Sequence, residues 1–317
     1  MDPLDCAPRV RLGRWPTPTR RLDNVSELLG REVWIKSEEE CGTWGGNKVR
    51  KLEYILAAAE AHGARKLVTY GAGTSSWAAA LVFHAVPRGF EVVLGLGGGI
   101  PDPNRRLYEK TSTSVFEMSS YNFTPVAAVG AMARAGMLTA TRLPAGGSGL
   151  PGDLGSMGAG IEIGAALSSG ELPVPGAIYC PAGTSGTAAG LAVGVAWGGH
   201  QVPIRAVRVT PIPLGTAAMI TWHARRLAAF VAPRTGRSVR PAPVASDGRF
   251  FPPAYGASNA ASIEAIEIAR RDSLELDPTY AAKGFAALID AARRSPGGPL
   301  LFLHTSPGPL PGPGETY

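Results

Sequence analysis

The stretch Gly45-Gly46-Asn47-Lys48-Val49-Arg50-Lys51-Leu52-Glu53-Tyr54 sets the reading of the whole chain. Two glycines and an asparagine precede a run in which Val49, Leu52, Leu56 and Ala59 recur at three- and four-residue steps. That spacing predicts a helix with one apolar face. Asn47 is expected as its N-cap, and the glycines let the backbone turn tightly or lie close to a ligand. Lys48 then falls in the first turn. The macrodipole is positive there, so the site is poor for a cation held for stability. It suits a lysine that must lose its proton, because dipole and burial both favour the neutral amine. A neutral amine attacks an aldehyde to form a Schiff base. The same spacing fits a solvated lysine on a helix face, and the stretch alone leaves both readings open for Lys48 and for Lys51.

Composition sets the limits around this stretch. The 317 residues allow one large domain or two ordinary ones, and 45% hydrophobic with 18% charged residues fits a globular protein with ample core. No apolar run is long enough to span a membrane and no signal-peptide pattern opens the chain, so a cytoplasmic protein is expected. Cys6, Cys41 and Cys180 match neither a zinc spacing nor a disulfide framework, and no metal is expected. The net charge of +6 is spread out, without the basic, aromatic-bearing stripe that nucleic-acid binding requires. Lysines occur only at 36, 48, 51, 66, 110 and 283, which makes one behind a glycine pair conspicuous.

Further along, strand and helix patterns alternate. Strands are expected at 66–70, 91–96, 114–118, 177–180, 204–209 and 300–303, with helices between them. Alternation of this kind predicts an α/β fold with parallel sheets. Residues 1–21 read as an extended arm, 144–158 as a second glycine-rich loop that returns the chain to its first domain, and 233–253 as an irregular excursion.

The second chemical stretch is Gly183-Thr184-Ser185-Gly186-Thr187, which ends a strand and opens a helix. Backbone amides, hydroxyls and a helix dipole together suit a phosphate dianion. No lysine follows as in a Walker loop, and the glycine spacing is not that of a dinucleotide fingerprint. An ordinary tight turn before a helix would read the same way. A reactive lysine together with a phosphate cup is what pyridoxal 5′-phosphate needs: the lysine takes the aldehyde and the loop takes the phosphate.

Seven stretches, collinear over nearly the whole chain, carry a resemblance. They are Trp15-Pro16-Thr17-Pro18, residues 45–54, Pro144-Ala145-Gly146-Gly147-Ser148, residues 183–187, Tyr255-Gly256, Leu276-Asp277-Pro278-Thr279-Tyr280 and Leu303-His304-Thr305. Through them the chain resembles the pyridoxal-phosphate fold-type-II family that holds 1-aminocyclopropane-1-carboxylate (ACC) deaminase and D-cysteine desulfhydrase. The resemblance implies two three-layer α/β domains with twisted, mostly parallel sheets and the cofactor in the cleft between them. Residues 1–50 with 146–317 would form the large domain and 51–145 the small one, in a homodimer.

Residue by residue, the resemblance implies that Lys48 holds the cofactor and shuttles a proton. Gly183, Thr184, Ser185, Gly186 and Thr187 would bind the phosphate. Ser75 falls beside the substrate carboxylate or reacting carbon, and Thr305 near the pyridine nitrogen. Tyr255 and Tyr280 match tyrosines that face the substrate, although core packing would explain either. His304 reads as structural. Three departures bear on the substrate. Ser76, followed by Trp77, replaces an asparagine that contacts the cofactor. Ala281 stands where ACC deaminases have glutamate, and Ser306-Pro307 replaces a glycine pair. A hydroxyl at 305 cannot keep a ring nitrogen protonated as a carboxylate can, which favours β-elimination from a small amino acid, giving keto acid and ammonia. ACC ring opening, β- or γ-replacement, and a non-catalytic binding protein remain as alternatives.

Overall fold

The structure, a computed structural model, describes residues 1–44, 46–136, 139–295 and 297–307. Gly45 of the opening stretch and the Pro/Gly tail from Gly308 onward lie outside the described residues. The strands are β1 (Thr19–Arg21), β2 (Val33–Ser37), β3 (Lys66–Ala72), β4 (Glu91–Gly97), β5 (Ser114–Met118), β6 (Thr141–Arg142), β7 (Ala177–Ala182), β8 (Ile204–Arg208), β9 (Val244–Asp247) and β10 (Leu300–His304). The helices are α1 (Asp23–Leu29), α2 (Asn47–Ala61), α3 (Ser76–Ala85), α4 (Asp102–Lys110), α5 (Thr124–Ala135), α6 (Leu150–Ser169), α7 (Gly186–Trp197), α8 (Ala217–Thr235), α9 (Ala260–Ala269) and α10 (Ala281–Arg294).

Six strands form one sheet in the order β1-β2-β10-β7-β8-β9, and four form a second in the order β5-β4-β3-β6. Every pairing is parallel except β1 with β2. Side chains alternate across a strand, and both faces of these strands are apolar, as parallel sheets require. On β10, Leu301 and Leu303 join Ile178 and Cys180 of β7 against α6, α7 and α8. Leu300 and Phe302 point the other way, into a core with α9 and α10. The smaller sheet is covered in the same manner. Leu67, Leu94 and Leu96 meet α2 and α3, while Val68 and Val93 meet Ala131 and Ala135 of α5. Both sheets are therefore the middle of three layers.

Two sequence expectations need correction. The glycine-rich segment 144–158 is a loop only as far as Gly149, after which α6 begins. Its glycines serve helix packing: a Cβ on Gly155 would collide with the Arg50 carbonyl of α2, and one on Gly160 would meet the α7 backbone around Leu191 and Val195. The excursion 233–253 is also more regular than expected, because α8 runs on through Pro233 to Thr235 and β9 lies inside the segment.

Candidate active site

Buried charge fixes α2. Arg50 donates to both oxygens of Glu38 at 2.6 and 2.9 Å and to Glu162 at 2.8 Å, while Lys36 reaches Glu162 at 2.7 Å. The Arg50 guanidinium also lies 3.8 Å over the Trp15 ring. Glu53 accepts from the Leu12 and Gly13 N–H groups and from the Trp15 indole, which ties the N-terminal arm to the same helix.

The helix start differs from expectation at one residue. Gly46, at φ +73°, is the N-cap, and Asn47 is the first helical residue. The turn packs so closely on the segment after β10 that a Cβ at Gly46 would collide with the Ser306 carbonyl. The Asn47 amide is thereby released from capping. Its Nδ2 donates to Thr187 Oγ1 at 2.7 Å, and its Oδ1 accepts from Lys48 Nζ at 2.9 Å. One side chain spans the lysine and the glycine-rich loop.

Burial, and then the neighbouring Lys51 charge, pull the Lys48 amine down to about 7. Lys51 is not solvated. It is buried, its Nζ donates to the Gly146 carbonyl at 3.1 Å, and burial lowers it to about 8 against the opposing pull of Asp153. Among the described residues no carboxylate forms a salt bridge with Lys51. A cation buried without an ion-pair partner is costly, and a bound dianion would offset that cost.

The loop after β7 supplies the place for such an anion. Ser185 adopts φ +78°, a region that non-glycine residues rarely occupy. Its Oγ accepts from the Gly215 N–H at 3.2 Å. Ser148 Oγ lies 2.7 Å from Thr184 Oγ1 and accepts from the Gly186 N–H at 3.2 Å. A Cβ at Gly186 would collide with Asp153, whose other oxygen is bound to His223 Nδ1 at 2.6 Å. The N-terminus of α7, the hydroxyls of Thr184 and Thr187, and buried Lys51 together fit a phosphate.

Lys48, Ser75, Ser76, Gly183, Thr184, Ser185, Thr187, Tyr255, Tyr280 and Thr305 line one cavity of about 580 Å³. Gly186 backs the loop instead of lining it. Ser75 caps α3 by accepting from the Ala78 N–H at 3.3 Å. The hydroxyls of Tyr255 and Tyr280 are 2.9 Å apart, and Tyr121 stacks on Tyr255 at 4.6 Å. Burial pushes Tyr255 up to about 12 and Tyr280 well above its ordinary 10, so both are neutral phenols at neutral pH. Lys283 fastens the segment leading to Tyr255 by donating to the Phe251 and Ala254 carbonyls at 2.7 and 3.3 Å.

A model of the family described as pyridoxal-phosphate dependent enzyme matches residues 10–306. The chain belongs to the pyridoxal-phosphate dependent enzyme family. It is 30% identical to a D-cysteine desulfhydrase of Yersinia enterocolitica over 336 residues, covering 95% of this chain and 94% of that one. It is 31% identical to a D-cysteine desulfhydrase of Salmonella paratyphi C, again over 95% and 94% of the two chains. A solved structure described as an ACC deaminase homologue superimposes with a TM-score of 0.81 at 26% identity, over 96% of this chain and 93% of that chain. The pyridoxal-phosphate dependent enzyme described here has the fold-type-II architecture, and with these relatives it is a lyase or deaminase that uses pyridoxal phosphate.

The departures noted in the sequence have local explanations in this family member. Trp77 is buried, its indole donates to Thr69 Oγ1 at 3.0 Å, and its ring fills the space where a Cβ on Gly147 would lie. It props the 144–148 loop from below. Ser306 Oγ donates to Asp277 Oδ2 at 3.0 Å. His304 Nε2 lies 2.8 Å from the same hydroxyl, and its Nδ1 lies 2.8 Å from Glu39 Oε1. His304 thus belongs to a network beside Thr305. The sequence reading gave Asn47 only a capping role and gave none to Ser148 or Tyr121. Ser148 lay inside a stretch already singled out, whereas Tyr121 carried no motif.

Proposed function

We propose that this pyridoxal-phosphate dependent enzyme removes a β-substituent from a small amino acid, releasing a keto acid and ammonia; relatives named D-cysteine desulfhydrase support the reading. The observation that carries the proposal is the Asn47 amide, which holds Lys48 at 2.9 Å on one side and Thr187 at 2.7 Å on the other. It sets the amine and the phosphate loop on one cavity. Lys48 would hold the cofactor through its amine, and residues 183–187 with Lys51 would hold its phosphate. Ser76 and Thr305 are the hydroxyls assigned to the ring.

When bound, pyridoxal phosphate supplies an electron sink for the pair left by a bond broken at the substrate's Cα. Lys48, with its pKa drawn to about 7, is well matched to take the α-proton and return one, because a general base works best near the operating pH. Ser75, at the start of α3, offers its O–H to the substrate carboxylate, and the α3 dipole favours that anion. Tyr280 and Tyr255 are neutral and hydrogen-bonded to each other, so one of the two phenols keeps its proton free to donate toward the leaving group. Ala281 presents only a methyl group, and its N–H is taken by Asp277 Oδ2 at 3.0 Å. Nothing at that position can keep a ring nitrogen protonated, which favours elimination over ring opening of ACC.

We extend the proposal to the division into a large domain of 1–50 with 146–317 and a small domain of 51–145, and to a homodimer in the cytoplasm. Among the described residues no helix is long and apolar enough to cross a membrane. The test is to supply D-cysteine, β-chloro-D-alanine and ACC separately to the cofactor-loaded protein and to assay keto acid and ammonia. The proposal predicts both products from the first two. Product from ACC alone, or turnover only when a nucleophile is added, would replace it.

A further inference from the structure

The cavity that holds Lys48 and the 183–187 loop is also walled by α5. There Pro125, Ala128 and Met132 line it, with Asn122 and Thr124 at the start of the helix and Tyr70 of β3 also in the lining. Ala128 and Met132 are just over one helical turn apart, and Pro125 lies just under a turn the other way, so the three form a single strip. The helix sits hard against the sheet because β4 carries glycine beneath it: a Cβ at Gly95 would collide with the Ala127 carbonyl, and one at Gly97 with Thr124. The wall is therefore set by backbone packing and has little room to withdraw.

From Pro125 to Met132 the strip is about 10 Å long at 1.5 Å per residue. Its three side chains offer no charge and no hydrogen-bond donor, so a polar substituent set against buried Ala128 would lose its water without compensation. A single sulfur atom on Cβ, as in cysteine, is too short to use a surface of that length. Met132 adds an adaptable thioether that packs on aliphatic or aromatic groups alike.

Resting on the elimination reading above, we propose that the Pro125–Ala128–Met132 strip binds an apolar group on the substrate's β-sulfur, so that S-alkyl and S-aryl cysteines are the preferred substrate class. The overall change balances as thioether amino acid plus water giving thiol, pyruvate and ammonium. The C–S bond breaks and its electron pair leaves on sulfur, which takes a proton. The α-proton goes to Lys48, and water hydrolyses the released enamine.

The experiment uses the cofactor-loaded protein with cysteine and its S-ethyl and S-benzyl thioethers, each as D- and L-isomers. Pyruvate release gives kcat/KM, and the change in the visible spectrum on mixing gives an apparent Kd independent of turnover. Both should improve from cysteine to the thioethers, by at least about tenfold in kcat/KM for the isomer accepted. Ala128→Leu should cut the S-benzyl to cysteine ratio about tenfold, and Met132→Ser serves if that variant does not fold. Turnover of cysteine with thioethers equal or worse would overturn the strip's role and leave elimination intact. No pyruvate from any compound would remove the elimination reading. The Kd series then decides alone: tightening with length supports the strip, and a flat series overturns it.

Discussion

In the proposed function the chemistry turns on Lys48, and its behaviour is set by what surrounds it. Burial and the Lys51 charge bring its pKa from the ordinary 10.5 to about 7. The neutral amine is the form that reacts, so uptake of pyridoxal phosphate by the cofactor-free protein should speed up as pH rises through about 7 and level off near pH 8. Stopped-flow absorbance would follow it, and a midpoint near 10 would show an ordinary solvated lysine. The sequence singled out Lys48 through the glycine pair before a helix, although that stretch alone left a solvated lysine open. Asn47 was misread for a physical reason. An asparagine before a helix is expected to cap it, but the close packing of Gly46 on Ser306 moved the cap one residue back and sent the amide to Thr187. That contact joins residues 140 positions apart, beyond the reach of any local pattern. Lys51 was left open in the sequence because nothing local distinguishes a buried lysine from a solvated one.

At the scale of the element, α2 is the part that must not move, and Glu162 of α6 is one of its anchors. Burial alone would raise the Glu162 carboxyl, but Arg50 and then Lys36 outweigh it and hold the carboxyl below its ordinary value. Glu162→Gln leaves two buried cations short of a partner and should cost about 3 kcal/mol, within the range for breaking a buried pair. The sign with pH follows from the depressed pKa. The stabilisation is complete above the ordinary 4.5 and is lost as pH falls through the lower folded value. Urea midpoints of the wild type and the variant should therefore converge in acid. Convergence at alkaline pH instead would contradict the assignment. Gly155→Ala tests the same contact by volume, since its methyl would press on the Arg50 carbonyl. A fall in Tm corresponding to about 1–3 kcal/mol is expected from overpacking, and an unchanged Tm would count against the close approach. The helices and strands of the sheets were readable from period and composition. The start of α6 was not, because glycines chosen for helix packing look the same in sequence as glycines chosen for a loop.

For the whole molecule, the two sheets form a scaffold that brings distant segments to one cavity, and two lysines buried beside each other carry an electrostatic cost that a bound anion would offset. Lys48 and Lys51, near 7 and 8 in the fold against 10.5 ordinarily, bind fewer protons folded than unfolded. The cofactor-free protein should therefore gain stability between about pH 7 and 9. Above that, Cys41 and Cys180, both raised to about 12 by burial, pull the other way. A double Lys48→Met, Lys51→Met variant should flatten the rise in urea midpoint between pH 7 and 9, and a slope equal to the wild type's would refute it. The α/β class was legible from alternation alone, whereas the cavity was not, since it is assembled from α2, β3, α3, α5, β7 and α7, with Tyr280 just before α10 and Thr305 just after β10. The most direct test of the central claim is to load the protein with pyridoxal phosphate, reduce it with borohydride and map the peptides by mass spectrometry. A single phosphopyridoxyl label on Lys48 is predicted; a label on Lys51 or another lysine, or no label at all, would contradict the assignment of Lys48 as the cofactor-bearing residue.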